Sequence, residues 1–284
     1  MVHWQVFLLI SILAESFGRV FQRFLLKDNK SDPIAYAVWF QFLTGILLSV
    51  YALIHGFKLP DNLLSLTPNL ILVSVLYGLM SIFIFKALQQ TEASIFTILF
   101  NSRVIITVLG AVILLNNPFT LKQVLGTVLI LASVVAISFK KQKLQIKKGE
   151  IYSLLAGTFL ALGVINDSII LKSFDVATFS AIAFIIPGIF IWLINPKSTG
   201  KILALPKDKF FPKIGLMGLI YGTAYLTYNF AYFSGQNAAQ IAAIFPISSV
   251  ITVLISMVLL KERQKMLIKL LAAIISFVGV LLVS

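Results

Sequence analysis

Long apolar runs follow one another along almost the whole chain. Scanning for runs of spanning length predicts ten helices, which we number as spans 1 to 10, at residues 4–26, 33–54, 69–88, 93–114, 122–140, 149–171, 176–195, 210–233, 238–260 and 265–283. Each approaches the roughly 20 residues that a helix needs to cross a hydrocarbon core of about 30 Å. Period-two alternation is absent, so a closed barrel is not expected. The pattern predicts an all-α integral membrane protein.

The spans fall into two sets of five that resemble each other. Segment 76–138 aligns with segment 220–284 at an offset of 144 residues, which pairs Tyr77 with Tyr221. After a one-residue slip, four consecutive residues match, Ile106-Thr107-Val108-Leu109 with Ile251-Thr252-Val253-Leu254. The sequence therefore predicts an internal duplication.

An odd number of spans in each copy forces the second copy to enter the membrane in the opposite sense. Such inverted five-helix repeats are typical of alternating-access transporters, whose sites lie near the midplane where the copies meet. We expect a first repeat at residues 1–140, a basic connector at 141–148 and a second repeat at 149–284.

Composition agrees with a chain that is mostly surrounded by lipid. Apolar residues make up 59% of the 284 residues, charged residues 12%, and the mean hydropathy is +1.00. The net charge of +13 comes from lysines in the gaps between spans, so it indicates topology and not nucleic-acid binding. The absence of cysteine excludes disulfides, thiolate metal sites and a cysteine nucleophile.

No motif for enzyme chemistry or nucleotide binding occurs. HExxH, GxSxG and the phosphate-binding GxxxxGK are all missing from the sequence. We therefore expect neither an enzyme nor a cofactor nor a metal, and transport driven by a gradient of substrate, protons or ions. The expected partners are the lipid bilayer and a small-molecule substrate, and the chain is expected to act as a monomer.

The basic residues are distributed unequally between the two sides of the predicted membrane. The loops after spans 2, 4, 6 and 8, on one side of the membrane, hold only Lys58, Lys122 and Lys172. The loops after spans 1, 3, 5, 7 and 9 hold fifteen, namely Lys27, Lys30, Lys140, Lys141, Lys143, Lys147, Lys148, Lys197, Lys201, Lys207, Lys209, Lys213, Lys261, Arg263 and Lys265. The positive-inside rule would put these fifteen in the cytoplasm and both termini outside.

The end of the second half carries a family resemblance. Phe245-Pro246-Ile247 is followed by an apolar stretch, the turn Lys261-Glu262-Arg263 and a closing helix that contains Gly279. With the ten spans and the repeat, this resembles the EamA-type family of the drug/metabolite transporter superfamily over essentially the whole chain. The resemblance implies a secondary carrier of the inner cell membrane for amino acids, amphipathic drugs, nucleotide sugars or similar metabolites. It also implies cytoplasmic termini, so the orientation stays open.

The first half departs from the family pattern. Asn101 stands where the repeat alignment expects proline, and Asn117 stands where it expects the loop glutamate. We therefore expect span 4 to be straighter than span 9.

Charged residues inside the spans are candidates for the site, because each costs at least about 2.5 to 3.5 kcal/mol at the membrane centre. Glu15, Arg19 and Arg103 lie near mid-span, whereas Lys86 and Asp167 lie near span ends and can snorkel to the boundary. Glu15 could pair with Arg19 or bridge to Arg103 structurally. Alternatively, Glu15 and Arg103 present opposite charges to a zwitterion, or Glu15 couples transport to protons.

Asn101 and Arg103 are two residues apart and so should point to nearly opposite sides of span 4. Both then cannot line one cavity. We take Arg103 as the site residue, because it is the costlier of the two to bury.

Span 8 carries a polar and aromatic stripe of Tyr221, Tyr225, Tyr228, Asn229 and Tyr232. Interfacial packing at the membrane surface suits Tyr232 and Tyr228. Tyr221 and Tyr225 lie deeper, where their rings could hold an apolar or cationic substrate group. Asn229 and Tyr77, the repeat equivalent of Tyr221, join them as candidates.

Two prolines fall inside spans and predict kinks that could move during gating, Pro187 in span 7 and Pro246 in span 9. Together these features predict a secondary transporter for a small metabolite, such as an amino acid or related zwitterion. The alternatives are an efflux carrier for drugs or amphipathic cations, and a membrane scaffold or receptor that transports nothing.

Overall fold

The structure is a computed structural model that describes residues 3–26, 32–91, 93–138, 147–259 and 266–284. All regular elements within these residues are helical. They are α1 Trp4–Leu26, α2 Pro33–His55, α3 Leu63–Gln90, α4 Ala93–Asn101, α5 Arg103–Leu115, α6 Leu121–Ser138, α7 Lys148–Ile170, α8 Val176–Ile194, α9 Thr199–Ala204, α10 Phe211–Gly235, α11 Ala238–Ile244, α12 Ile247–Leu259 and α13 Met266–Val283, with 3-10 turns at Pro196–Ser198 and Leu205–Lys207.

The helical fold predicted from hydropathy is confirmed. Within the described residues, seven segments are long and apolar enough to cross a membrane, and the apolar helices α6 and α13 are shorter. Spans 4 and 9 each consist of two helices in sequence, α4 with α5 and α11 with α12. The count of ten crossings stays a prediction. Most of the connector predicted at 141–148, and the basic loops at 27–31 and 260–265, lie outside the described residues.

Aspartates cap the second helix of each half. The Asp32 carboxylate accepts hydrogen bonds from the amides of Ile34 and Ala35 at the start of α2, and Asp175 accepts one from Thr178 at the start of α8. Asp32 also bridges Lys201 at 2.8 Å. Burial raises the pKa of Asp32, but Lys201 and the two amides outweigh it and hold the pKa below its usual value.

The most extensive helix pairs all join the first half of the chain to the second. They are α3 with α7, α2 with α8, α1 with α10 and α6 with α13. Exchanging the two halves converts the pair α1–α10 into α7–α3 and leaves the other two pairs unchanged. The packing therefore has the approximate two-fold symmetry that a duplicated chain predicts.

The backbones of the two halves approach each other closely where α6 crosses α13. A Cβ atom on Gly126 would lie 2.5 Å from the carbonyl oxygen of Gly279, and one on Gly279 would lie 2.7 Å from that of Gly126. Only glycine fits at either position. Small residues at a crossing are a common way for helices to pack in lipid, where no hydrophobic effect drives them together.

Many serine and threonine side chains lie inside the helical bundle, and many large apolar side chains lie on its outside. Ser11, Ser16 and Thr44 are buried, whereas Leu64 and Val258 are 88% and 77% exposed. This arrangement suits a lipid environment and concentrates polar chemistry between the two halves.

Candidate functional site

Two interrupted helices, one from each half, meet in the interior. At the break between α4 and α5 the hydrogen bonds shorten to a three-residue step, from the Ser102 amide to the Leu99 carbonyl. At the break between α11 and α12 the Ser248 amide bonds to the Phe245 carbonyl in the same way. A 3-10 step inside a helix often marks a functional hinge.

The expectation that span 4 is straighter than span 9 is wrong, because both spans are interrupted at equivalent places. The amide of Asn101 bonds the Thr97 carbonyl at 2.8 Å, and the Ser102 hydroxyl bonds the Leu99 carbonyl at 2.6 Å. Side chains that bond back to the preceding turn compete with the helical ladder and bend it. Polar side chains at this position interrupt the helix without proline.

The two predicted proline kinks differ. The second break falls at Phe245–Pro246, between the end of α11 and the start of α12. In contrast, α8 continues through Pro187, which is buried. Gating by either proline stays a prediction.

Ser249, in the first turn of α12, connects both breaks to α1. Its hydroxyl oxygen accepts hydrogen bonds from the Arg19 guanidinium at 2.9 Å and from the Asn101 amide at 3.2 Å. Arg19 also pairs with Glu15 one turn earlier on α1, at 2.9 Å, and both side chains are mostly buried. Of the pairings considered for Glu15, the structure contains the one with Arg19.

Arg103 is the first residue of α5, and unlike Arg19 it has no acidic partner among the described residues. It is 9% exposed, and its guanidinium carbon lies 4.5 Å from the Phe100 ring centre and 5.7 Å from that of Phe245. No carboxylate of the described residues forms an ion pair with it. Asn101 and Arg103 lie on either side of the break and are both buried; that they face opposite sides stays a prediction.

Asp167 is a functional candidate that the sequence interpretation placed wrongly. Its position near the end of span 6 suggested a boundary residue, but the side chain is only 4% exposed. The hydroxyls of Tyr77 on α3 and Tyr225 on α10 both donate to its Oδ2 atom. Its other oxygen, Oδ1, is buried and has no hydrogen-bond partner among the described residues. Two tyrosines predicted as site residues, one from each half, thus both bind Asp167, which the sequence analysis had not included among the site residues.

The environment of Asp167 has a counterpart related by the repeat. The Tyr77 ring packs on Gly163, where a Cβ would lie 2.9 Å from it, and the Tyr77 hydroxyl reaches Asp167 four residues further along α7. The Tyr221 ring packs on Gly18, where a Cβ would lie 3.1 Å from it. The Tyr221 hydroxyl reaches Gln22, four residues further along α1, at 2.9 Å. In these equivalent arrangements the tyrosine hydroxyl therefore binds an acid, Asp167, at one place and an amide, Gln22, at the other.

The remaining residues of the stripe on α10 make packing contacts. Asn229 donates to the Ser180 hydroxyl at 3.1 Å, and Tyr228 meets Phe245 edge to face at 5.2 Å. Tyr232 is 4% exposed and donates to the Ser168 carbonyl, so it packs between helices as expected, and its place at the membrane surface stays a prediction. A hydroxyl buried away from water requires such a partner.

Comparison with known proteins agrees with the repeat and the fold. The model of the EamA-like transporter family matches residues 3–139 and again residues 147–284, which confirms the internal duplication. A solved crystal structure, described only as that of a protein, superposes with a TM-score of 0.77 over 99% of this chain and 96% of that chain, at 12% identity. At that identity the likeness concerns the fold alone. No curated protein matches the chain.

Proposed function

This chain belongs to the EamA-like transporter family, and on that premise we propose that it is a secondary transporter of the inner cell membrane for small metabolites that carry an anionic group, amino acids among them. It crosses the membrane ten times as two inverted repeats and works by alternating access between them. A gradient of substrate, protons or ions drives it.

The observation that carries this proposal is the state of Arg103. A buried guanidinium is costly unless an anion accompanies it. Glu15, the nearest candidate from the sequence, is already paired with Arg19. An anionic group of the substrate would supply the missing charge, and the rings of Phe100 and Phe245 on either side would hold an apolar portion of the same molecule.

The helix breaks favour the same substrate class. Arg103 is the first residue of α5, and α12 begins at Ile247, directly after the other break. Helix N-termini carry partial positive charge and commonly face anionic substrate groups in transporters built from discontinuous helices. Ser249 and Asn101 add hydrogen-bonding groups between the two breaks.

Glu15 and Arg19 take a supporting part in this proposal. Arg19 holds Glu15 on one side and Ser249 on the other, so the pair positions the start of α12 beside α1. A substrate ammonium group could approach the Glu15 carboxylate only in competition with Arg19. The anionic group is therefore the more strongly selected feature.

The test is uptake into liposomes that contain the purified protein, from a pool of labelled amino acids, organic anions and organic cations. The variants are Arg103→Ala and Glu15→Gln, with Lys58→Gln as a control because Lys58 is exposed in a loop. We expect saturable uptake of an anion-bearing compound, lost in Arg103→Ala, reduced in Glu15→Gln and unchanged in Lys58→Gln.

Other outcomes would favour the alternatives. Uptake of apolar or cationic compounds that survives Arg103→Ala would indicate an efflux carrier for amphipathic cations, with the tyrosines of α10 as its binding surface. Absence of saturable uptake of every compound class in the pool, by well-folded protein, would support a scaffold or receptor.

A further inference from the structure

Asp167 is a buried acid that takes no part in the substrate site proposed above. Its Oδ2 atom accepts two tyrosine hydroxyls, and its Oδ1 atom is buried and has no hydrogen-bond partner in the described part of the chain. Among the described residues no lysine, arginine or histidine forms an ion pair with it. Among the described residues, two hydroxyls therefore donate to Oδ2 and no group donates to Oδ1 or accepts from it.

The titratable groups around Asp167 do not supply a counter-ion. Tyr77 comes from α3 and Tyr225 from α10, and both are neutral donors. Arg103 on α5 forms no ion pair with Asp167 and lies over the rings of Phe100 and Phe245, and Tyr228 on α10 packs edge to face on Phe245. Helix α4, which also packs against α7, contains no titratable residue. Lys86 on α3 is exposed and lies over Tyr152.

This geometry suits a neutral acid better than a carboxylate. A charge without a partner in a dry interior is much costlier than a single unpaired polar atom, so such a group takes up a proton. The two tyrosines mark Oδ2 as the carbonyl oxygen, because both donate to it. The proton then belongs on Oδ1. Since Oδ1 has no accessible surface for a larger cation, a proton is the ligand that fits this closed arrangement.

We propose that Asp167 is the proton-exchange site of this protein, and that it releases and rebinds a proton on Oδ1 as the two halves move. The inference rests on the proposed transport function for its consequence, but the site itself can be tested without a substrate. When the contact opens to water, the O–H bond breaks, the proton passes to water, and the carboxylate remains with its two tyrosine donors. Reprotonation from the other side of the membrane restores the neutral acid.

The position of the site connects protonation to the movement of the halves. Tyr77 belongs to the first repeat, whereas Asp167 and Tyr225 belong to the second. A rearrangement of α3 against α7 would therefore change one of the two hydrogen bonds that stabilise the carboxylate. At the equivalent place in the other copy, Tyr221 meets Gln22, whose amide cannot exchange a proton in this way.

Infrared difference spectroscopy of the full-length protein in lipid films tests the site directly. A protonated carboxylic acid has a carbonyl stretching band that is absent from carboxylates and distinct from amide bands. We expect the wild-type protein at neutral pH to show a band from one buried acid, which disappears in Asp167→Asn. The control Asp175→Asn makes the same chemical change at the exposed cap of α8 and should retain the band.

Tyrosine variants provide a second measurement that leaves Asp167 in place. Tyr77→Phe removes one donor from the carbonyl oxygen, so we expect the band to move to higher wavenumber. Tyr221→Phe is the matched control, because its hydroxyl binds Gln22 in the equivalent arrangement, and it should leave the band where it is. A band that is unchanged in both Asp167→Asn and Tyr77→Phe, or that disappears in Glu15→Gln instead, would overturn the proposal.

A transport measurement separates this inference from the function on which it rests. With the labelled amino acids as probe, Asp167→Asn should retain exchange of internal for external substrate and lose stimulation by a pH gradient. Accumulation that still follows the pH gradient in Asp167→Asn would contradict proton exchange at this residue. Absence of uptake by the wild-type protein would refute the proposed function and leave the infrared result to decide the site.

Discussion

Glycine and tyrosine occur as matched pairs at two places between the halves, Gly163 with Tyr77 and Gly18 with Tyr221. In each pair the missing side chain of glycine leaves room for the ring, and the hydroxyl reaches a polar group one helical turn further on. Position along the helix thus determines which side chain the hydroxyl meets.

Gly163→Ala should displace Tyr77 from Asp167. The new methyl group would lie 2.9 Å from the ring, closer than carbon atoms approach each other, so the ring must shift. Overpacking of this kind costs about 1 to 3 kcal/mol. We expect a lower melting temperature in detergent and a shift of the Asp167 carbonyl band.

Gly215→Ala on α10 is the control for that substitution. Beyond its chain neighbours and the backbone of its own helix, no atom of the described residues lies within 4 Å of the position that its Cβ would occupy. Alanine in a helix is favoured over glycine by up to about 1 kcal/mol, so stability should stay the same or rise. Equal destabilisation by both substitutions would contradict the packing described for Tyr77.

Sequence alone predicted Tyr77 and Tyr225 as candidates but not the acid that joins them. Asp167 lies close to the end of an apolar run, and hydropathy cannot distinguish a residue at the membrane boundary from one covered by other helices. The spacing of Gly163 and Asp167, repeated in Gly18 and Gln22, was a usable signal. This spacing predicts a contact with tyrosine only if the helix that packs against it is known, and the sequence does not identify that helix.

At the scale of elements, the two interrupted helices distinguish this fold from a simple bundle. The break before α12 was predicted from Pro246, since proline removes a hydrogen bond and crowds the preceding turn. The break before α5 was missed, because it arises from Asn101 and Ser102 bonding to backbone carbonyls. Such bonds depend on rotamers, and neither residue type interrupts a helix by itself.

Pro246→Ala should make the helix at the second break more continuous. The change would restore a backbone donor and relieve crowding worth up to about 3 kcal/mol, so we expect a higher melting temperature. If the break is a hinge, the initial rate of uptake should fall several-fold.

Pro187→Ala gives the comparison for that experiment, because α8 continues through Pro187 without interruption. We expect a smaller effect on the rate there than at Pro246. Unchanged uptake by a well-folded Pro246→Ala protein would show that the break is not a moving part.

At the scale of the whole molecule, the largest helix–helix contacts are those between the two halves. Each of the most extensive helix pairs takes one helix from each repeat. The sequence predicted the two copies from their internal similarity, and the family model matches both. The hydropathy pattern could not predict which helices pack against each other, because apolar runs of similar length do not differ in a way that identifies their neighbours.

Cutting the chain between the repeats should therefore leave the molecule assembled. We expect a protein with a protease site inserted between residues 141 and 146 to elute as one particle after cleavage. Gly279→Leu is the matched variant, because its side chain would force α13 away from Gly126 on α6 and weaken the association. Separation of the halves without that substitution would contradict the packing.

Ligand-dependent stabilisation of the purified protein is the most direct test of the central claim, that Arg103 receives an anionic group of the substrate. Melting temperatures would be compared for panels of anionic, zwitterionic and cationic metabolites with the wild-type protein and Arg103→Gln. A ligand at 100 times its dissociation constant stabilises by about 2.7 kcal/mol. The account predicts stabilisation of the wild type by anion-bearing compounds, lost in Arg103→Gln. Equal stabilisation of both proteins by the same compounds, or stabilisation by cations alone, would contradict it.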